Sequence, residues 1–220
     1  MGLVAAFEWL REPYRLCRVD MLGEMRDQSY KRLNPRVETP VLVTGRGDVL
    51  TETMAIGAWL EARDTERRIT FEAASTDADR MHQLMAFINT GFTAAFSPLW
   101  TAMEMADPDP AMQASLTEFG RSQVIERHDR LEEMIGDGKY LVADRPSLAD
   151  AVLIGVARWL DVHAVANRNR WPKLSALRAN LEADAAVQFA CELEEGKEPA
   201  GSGACKGHVA LADILEKYGS

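Results

Sequence analysis

The Asn34–Ile56 segment constrains the fold of this 220-residue chain more than any other. It predicts two short strands, Pro40–Thr44 and Asp48–Leu50, joined by a hairpin-type turn at residues 45–47. A helix over Thr53–Ala62 follows the second strand directly. A hairpin that runs straight into a helix fits an α/β unit, and the start of that helix can hold a small anion.

The hydrophobic pattern predicts two structural classes along the chain. Leu3–Leu10 has helical spacing, and Tyr14–Met21 alternates as a strand does. We therefore expect a small α/β domain over residues 1–68. Beyond Asp77 no segment is predicted to form a strand, and residues 72–220 are expected to form an all-helical domain.

Helical periodicity and helix-breaking residues set the elements of the second domain. Pro98 is expected to kink the first long helix, and Pro199–Gly207 is expected to be a flexible, glycine-rich linker. The predicted helices are Asp77–Met105, Ala111–Ile135, Ser147–Val165, Leu174–Ala183, Val187–Glu194 and Val209–Tyr218.

The composition argues against several classes of protein. With 47% hydrophobic residues the chain can bury a large core, and its net charge of -9 argues against binding to nucleic-acid phosphates. No apolar run reaches the roughly 18 residues of a membrane span, and the first residues lack the features of a signal peptide. Three widely spaced cysteines fit a reducing compartment. We expect a cytoplasmic protein without nucleic-acid or membrane partners.

Thr39 and Pro40 lie where the first strand of the hairpin begins. Proline cannot donate to a strand ladder, and X–Pro bonds are the common cis peptides of proteins. A cis bond here would turn the backbone N–H and C=O of Thr39 outward, free to pair with an extended ligand. The alternative is an ordinary trans proline at the edge of a sheet.

Glu52 and Thr53 lie where the second strand turns into the helix. The first N–H groups of a helix have no intrahelical partner and favour an anion. The hydroxyl and N–H of Thr53 can bind a carboxylate, while Glu52 can bind an ammonium group. Together they can recognise an amino acid. The alternative is plain helix capping without a ligand.

A second helix start carries a structural motif. Ser147 and Asp150 match the capping-box pattern ahead of an apolar helix, so we expect them to stabilise the fold. The four histidines lack metal-ligand spacing, and we expect no metal site.

Four motifs resemble those of the cytosolic glutathione S-transferases. Starting at Asn34, NPRVETPVLV resembles the family's N-P-x-G-x-V-P stretch, and DVLTETMAI, starting at Asp48, resembles its strand-to-helix turn. Further on, AAFSPLW resembles a segment of the bacterial beta-class members, and RPSLADAVLIGVARW resembles the capped helix of the C-terminal domain. The resemblance covers nearly all of the chain to about Gly196.

The resemblance implies a thioredoxin-like N-terminal domain, a helical C-terminal glutathione-transferase domain and a homodimer. It implies a transferase of detoxification that adds the thiol of glutathione, its co-substrate, to small electrophiles. Thr39 would bond through its backbone to the cysteinyl part of glutathione, and Pro40 would be the family's cis-proline. Glu52 and Thr53 would hold the γ-glutamyl end.

The resemblance also implies an electrophile pocket between the two domains. Phe92, Phe96 and Trp100 are its candidate lining residues. Their helical spacing fits a stripe of core residues as well, so this alternative stays open.

The chain departs from the family's pattern in several places. Val37 and Thr39 stand where the family has Gly and Val, and Thr93 and Ala86 stand where beta-class members have the His and Asn that face glutathione. Family members open with a strand and a loop that carries the Tyr, Ser or Cys contacting the glutathione sulfur. The alignment puts that residue upstream of Met1, so the catalytic residue is unknown and a truncated start is expected.

Loss of the first strand would leave Tyr14–Met21 without its neighbour in the sheet. The start of the first helix, near Gly2 and Leu3, is then the only expected remnant of the thiol-activating machinery, and we expect it to assist a thiolate weakly.

Two alternative functions stay open. One is a non-catalytic glutathione-transferase-like binding or regulatory protein, and the other is a glutathione-dependent disulfide reductase or dehalogenase.

Overall fold

A computed structural model describes residues 1–21, 23–107 and 109–219. Its helices are α1 (Gly2–Leu10), α2 (Thr53–Glu61), α3 (Thr76–Phe87), α4 (Ser97–Glu104), α5 (Pro110–Met134), α6 (Leu148–Ala157), α7 (Trp159–Val162), α8 (Pro172–Glu182), α9 (Ala185–Glu194) and α10 (Leu211–Tyr218). Its strands are β1 (Tyr14–Leu16), β2 (Val41–Val43), β3 (Val49–Thr51) and β4 (Cys205–His208). Short 3₁₀ turns include Glu24–Arg26 and Gln28–Arg32.

Strands β2 and β3 form the antiparallel hairpin that the sequence predicts. Their register pairs Val41 with Thr51. Thr44 closes the turn, because its N–H donates to the Asp48 carbonyl at 2.9 Å and its hydroxyl accepts from the Asp48 N–H at 3.1 Å. Helix α2 begins at Thr53, directly after the hairpin.

Strand β1 has a neighbour that the sequence analysis did not predict. Strand β4, near the C-terminal end of the chain, runs parallel to β1 with Tyr14 opposite Cys205. The register shifts along the pair, and Gly207 on β4 has a φ of 100, which a residue with a side chain rarely adopts. The two strands form a pair separate from the hairpin in the described part of the chain.

This pairing corrects three expectations. A strand does form beyond Asp77, Pro199–Gly207 is not an unstructured linker throughout, and β1 keeps a neighbour. The strand escaped prediction because Cys, Lys, Gly and His in succession show no period-two apolar pattern. Pairing with β1 defines it, and strand formation depends strongly on such context.

The long helix predicted over Asp77–Met105 is divided. Helix α3 ends at Phe87, a π-helical turn spans Ile88–Phe92, and α4 begins at Ser97 with Pro98 in its first turn. Proline is tolerated in a first turn because the missing N–H has no helical partner there. The expected kink at Pro98 is therefore wrong, and the irregular backbone lies upstream of it.

The charged stretch after α2 is held by one buried carboxylate. Asp64 accepts hydrogen bonds from the N–H groups of Arg68 and Ile69 and from the hydroxyl of Thr70, each at 2.8 Å. The Leu148 N–H then donates to the Ile69 carbonyl at 3.0 Å. The segment that follows α2 is thereby fixed to the start of α6.

Helix α6 lies in the main core, where α1, α3 and α8 pack against it. At its start, Asp150 accepts from the Ser147 N–H at 2.9 Å, the Ser147 hydroxyl at 2.7 Å and the Leu141 N–H at 2.9 Å. Ser147 and Asp150 are both fully buried. None of the helices in the described ranges combines the length and apolar character that crossing a bilayer requires.

Replacing Ser147 by alanine removes a hydroxyl donor from the start of α6. We expect the free energy of unfolding, measured by urea denaturation, to fall by about 1 kcal/mol. Ser115→Ala is the matched control, because the exposed Ser115 hydroxyl donates to the Ala111 carbonyl within one helix. It should change stability by less than about 0.5 kcal/mol. An equal loss in both variants would contradict the capping role.

Asp150→Asn tests the charge state of the same cluster. Burial raises the pKa of Asp150 to about 6, since desolvation outweighs its hydrogen bonds. This pKa lies above the unfolded value of about 4, so the stabilising contribution is complete below about pH 4 and is lost as the pH rises through the folded pKa. The wild type should gain about 1 kcal/mol over the variant between about pH 7.5 and about pH 5. A stability difference that stays constant with pH would contradict the raised pKa.

Candidate functional site

The candidate site lies at the end of the hairpin where β2 begins and β3 ends. Because Val41 pairs with Thr51, the residues just before β2 lie beside those just after β3. The predicted ligand-binding residues 39–40 and 52–53 are therefore neighbours at one end of the hairpin. The start of α2 lies at the same end.

A buried network around the Glu38 carbonyl holds the loop that precedes β2. The Tyr30 hydroxyl donates to this carbonyl at 3.0 Å and the Asn34 side-chain amide donates at 2.7 Å. The Asn34 side-chain oxygen accepts from the Arg36 N–H at 3.0 Å. Tyr30 and Asn34 are each 2% exposed, whereas Thr39, the next residue after Glu38, is exposed.

Thr39 presents its backbone to the solvent. The Thr39–Pro40 peptide bond is cis. Within residues 1–21, 23–107 and 109–219, neither the N–H nor the carbonyl of Thr39 has a hydrogen-bond partner. A free donor and acceptor on one exposed residue are the groups that an extended peptide pairs with.

The start of α2 offers backbone donors beside Thr39. Glu52 is the N-cap residue, and its side chain caps no backbone group. The Ile56 N–H donates to the Glu52 carbonyl at 3.1 Å, which leaves the N–H groups of residues 53–55 outside the helical pattern, where the dipole favours an anion. Glu52 has a φ of 71, a conformation that is rare without glycine and is concentrated at ligand sites.

Arg36 adds a cation that the sequence analysis missed. Its guanidinium donates to Glu38 at 2.9 Å and lies 3.6 Å from Glu52. The hydrogen bond to Glu38, followed by the charges of Glu38 and Glu52, raises the pKa of Arg36. All three side chains are exposed, so the charged groups of a ligand can replace these weak ion pairs. The available signal was an arginine two residues after Asn34 in the loop already assigned to ligand binding.

Two of the three candidate residues of the electrophile pocket lie in the core. Phe92 and Phe96 are 1% and 0% exposed, and the centroids of their rings lie 4.3 and 6.1 Å from that of His128. Both side chains are therefore core residues, which is the alternative that their helical spacing left open. Burial lowers the pKa of His128 to about 4, so this histidine is a neutral core residue. Trp100 is half-buried, with its ring 4.4 Å from that of His163.

Other singled-out residues have structural partners. Ser147 and Asp150 bond each other at the start of α6, and the Thr93 hydroxyl donates to the Ile88 carbonyl at 2.8 Å. Burial, and next the charge of Glu24, raises the pKa of the Cys17 thiol, which disfavours the reactive thiolate. Among the described residues no group of three or more His, Cys, Asp or Glu side chains is arranged to hold a metal ion.

Known proteins match this chain over both of its parts. Residues 2–63 match the family model of the glutathione S-transferase N-terminal domain, and residues 94–185 match that of the C-terminal domain. A relative, glutathione S-transferase GstA of Escherichia coli O157:H7, is 25% identical over 148 residues, which are 66% of this chain and 70% of that protein.

Solved structures share the fold. A glutathione S-transferase from Xylella fastidiosa has a TM-score of 0.77 at 24% identity, covering 88% of this chain and 93% of its own. A glutathione transferase homologue from Sulfitobacter, solved with bound glutathione, also has a TM-score of 0.77 at 24% identity, covering 89% and 92%.

The two family models cover two successive parts of the structure. The N-terminal match spans α1 to α2 with the hairpin, which is the thioredoxin-like domain. The C-terminal match runs from the 3₁₀ turn before α4 to the first residue of α9. The chain therefore belongs to the cytosolic glutathione S-transferase family.

Proposed function

We propose that the chain binds glutathione at the end of the hairpin and adds its thiol to small electrophiles. The observation that carries this proposal is the juxtaposition of the unpaired Thr39 backbone with the open start of α2. One end of the hairpin thus offers a backbone pair for a peptide, N–H groups for a carboxylate and an acidic side chain for an amine. The bound glutathione of the Sulfitobacter homologue supports the same ligand class.

Each residue of the site has a proposed role. The backbone of Thr39, next to Pro40, bonds the cysteinyl part of glutathione as a short added strand. The γ-glutamyl carboxylate binds the Thr53 hydroxyl and the free N–H groups of α2. The γ-glutamyl ammonium binds Glu52 and displaces Arg36 from it, which costs little because that pair is exposed.

The second candidate function is glutathione binding without turnover. The observation that favours it lies at the start of α1, the helix end that could assist a thiolate. Gly2 packs so closely on α6 that a Cβ there would lie 2.0 Å from the Ala151 carbonyl oxygen, and the Met1 amino group pairs with Glu194 at 2.8 Å. Helix α6 covers this helix start and leaves it poorly placed to stabilise a thiolate, which favours binding without turnover.

We extend the proposal to assembly and location. A homodimer in the cytoplasm, acting in detoxification, is what the family resemblance suggests. Met103, Met112, Phe119 and Val162 are each more than half exposed on the helical domain, which supports an apolar contact between two copies. Light scattering of the purified protein at several concentrations tests this: a mass of twice 24.4 kDa is expected, and 24.4 kDa throughout would contradict it.

Glu52→Ala and Thr53→Ala test the binding site. Each removes a charge-assisted hydrogen bond, so the Kd for glutathione, measured by calorimetry, should rise about tenfold to a hundredfold. Glu216→Ala on α10 and Thr101→Ala on α4 are matched controls, because both residues are exposed and lie outside the site. Wild type that fails to bind glutathione, or site variants that bind as the controls do, would contradict the proposal.

An activity assay on the same proteins separates the candidate functions. Conjugation of glutathione to a chlorinated dinitrobenzene by the wild type, reduced in the Glu52→Ala variant, supports the transferase. Binding without conjugation, and without reduction of a mixed disulfide or release of halide, supports the non-catalytic protein. Disulfide reduction or halide release alone supports a glutathione-dependent disulfide reductase or dehalogenase.

A further inference from the structure

The C-terminal segment is fastened to α1 and β1. The Ser202 N–H donates to one carboxylate oxygen of Glu8 at 2.7 Å, and the Tyr14 hydroxyl donates to the other at 2.9 Å. Glu8 is 3% exposed, so these bonds satisfy a buried carboxylate. At the far end of β4 the Val209 N–H donates to the Leu16 carbonyl at 2.9 Å. The segment is therefore held at both ends of its strand before α10 begins.

Helix α10 packs beneath the loop that leads to the candidate site. Leu211 and Leu215 form a buried cluster with Tyr30 and Leu33, separate from the main core. Val41 of β2 is among the partly buried side chains packed against this cluster. Helix α10 therefore contacts the 3₁₀ turn Gln28–Arg32, which precedes the loop, and Val41 of β2, which follows the loop, packs against the same cluster.

Tyr30 connects this cluster to the ligand-binding backbone. Its ring packs in the cluster with Leu211 and Leu215, and its hydroxyl donates to the Glu38 carbonyl at 3.0 Å. Burial, and next the Cys17 thiol, raises the pKa of Tyr30, so its hydroxyl stays protonated and remains a donor. Glu38 is bonded covalently to Thr39, whose free N–H and carbonyl form the proposed peptide-binding edge. A shift of the tyrosine therefore passes directly to the Thr39 backbone.

We propose that the C-terminal strand and helix position the Thr39 edge for glutathione, acting through Tyr30. Tyr30, Leu211 and Leu215 are positioning residues, since none of them is expected to touch the ligand. The proposal rests on glutathione binding at this site and adds that the affinity depends on a segment beyond the part of the chain that resembles the family. Removing the support under Tyr30 leaves Asn34 as the other donor to the Glu38 carbonyl, so binding should weaken without being abolished.

A double-mutant cycle in the full 220-residue chain tests the proposal. Tyr30→Phe keeps the ring in the cluster and deletes the hydroxyl, and Leu215→Ala keeps the hydroxyl and deletes the packing beneath it. Each should raise the Kd for glutathione about tenfold, because small misplacements of binding groups are costly. The double variant should bind about as weakly as either single variant, since both act on one contact.

Matched controls separate positioning from general damage. Tyr140→Phe removes the hydroxyl of a partly buried tyrosine in the loop before α6, and Glu216→Ala alters the exposed face of α10. Both should leave the Kd within about twofold of the wild type. Near-ultraviolet circular dichroism establishes that each variant is folded before titration.

Wild-type binding that Glu52→Ala weakens, with tenfold non-additive losses from the cycle, supports both proposals. If Glu52→Ala weakens binding but Tyr30→Phe and Leu215→Ala bind within about twofold of the wild type, or their losses multiply to about a hundredfold, only the positioning role is overturned. Wild type that does not bind glutathione overturns both. Should Leu215→Ala fail to fold, Tyr30→Phe alone decides: a tenfold loss supports the role and an unchanged Kd overturns it.

Discussion

Backbone pairing between β1 and β4 is the constraint on which the part of the molecule around the candidate site depends. A strand near residue 15 needs a neighbour for its backbone groups, and β4 supplies it from the far end of the chain. Because α10 follows β4, the same pairing places α10 against Tyr30, whose hydroxyl donates to the Glu38 carbonyl. A buried network can then support a loop whose outer residue, Thr39, keeps its backbone free.

The candidate site combines opposite demands on neighbouring residues. Tyr30 and Asn34 are buried and hydrogen-bonded within the protein. Thr39 is exposed with its backbone groups free, and Arg36 and Glu52 share an exposed ion pair. Such a division is suited to binding, because rigid support lowers the entropy that the ligand-binding groups lose. Glu52 also has a positive φ, a backbone conformation that this residue disfavours on its own. The neighbouring helix and hairpin must therefore hold it in that conformation.

Local patterns were sufficient to predict the hairpin, α2 and the apolar helix after Ser147. Proline, glycine pairs and capping residues act within a few positions of themselves, so the sequence carries their effects directly. Strand β4 and the Arg36 ion pairs arise from partners that only the fold brings together. The stripe of Phe92 and Phe96 was ambiguous for a related reason: helical spacing defines a shared face but not whether that face meets the core or a pocket.

Amide hydrogen exchange with and without glutathione tests the central claim most directly, because it reports on the backbone groups that the account assigns to the ligand. The free N–H groups of Thr39 and of residues 53–55 should exchange rapidly in the unliganded protein. Saturating glutathione should slow exchange at both places, while amides of α5 stay unchanged. Protection that appears elsewhere, or none at residues 39 and 53–55 under saturation, would contradict a glutathione site at this end of the hairpin.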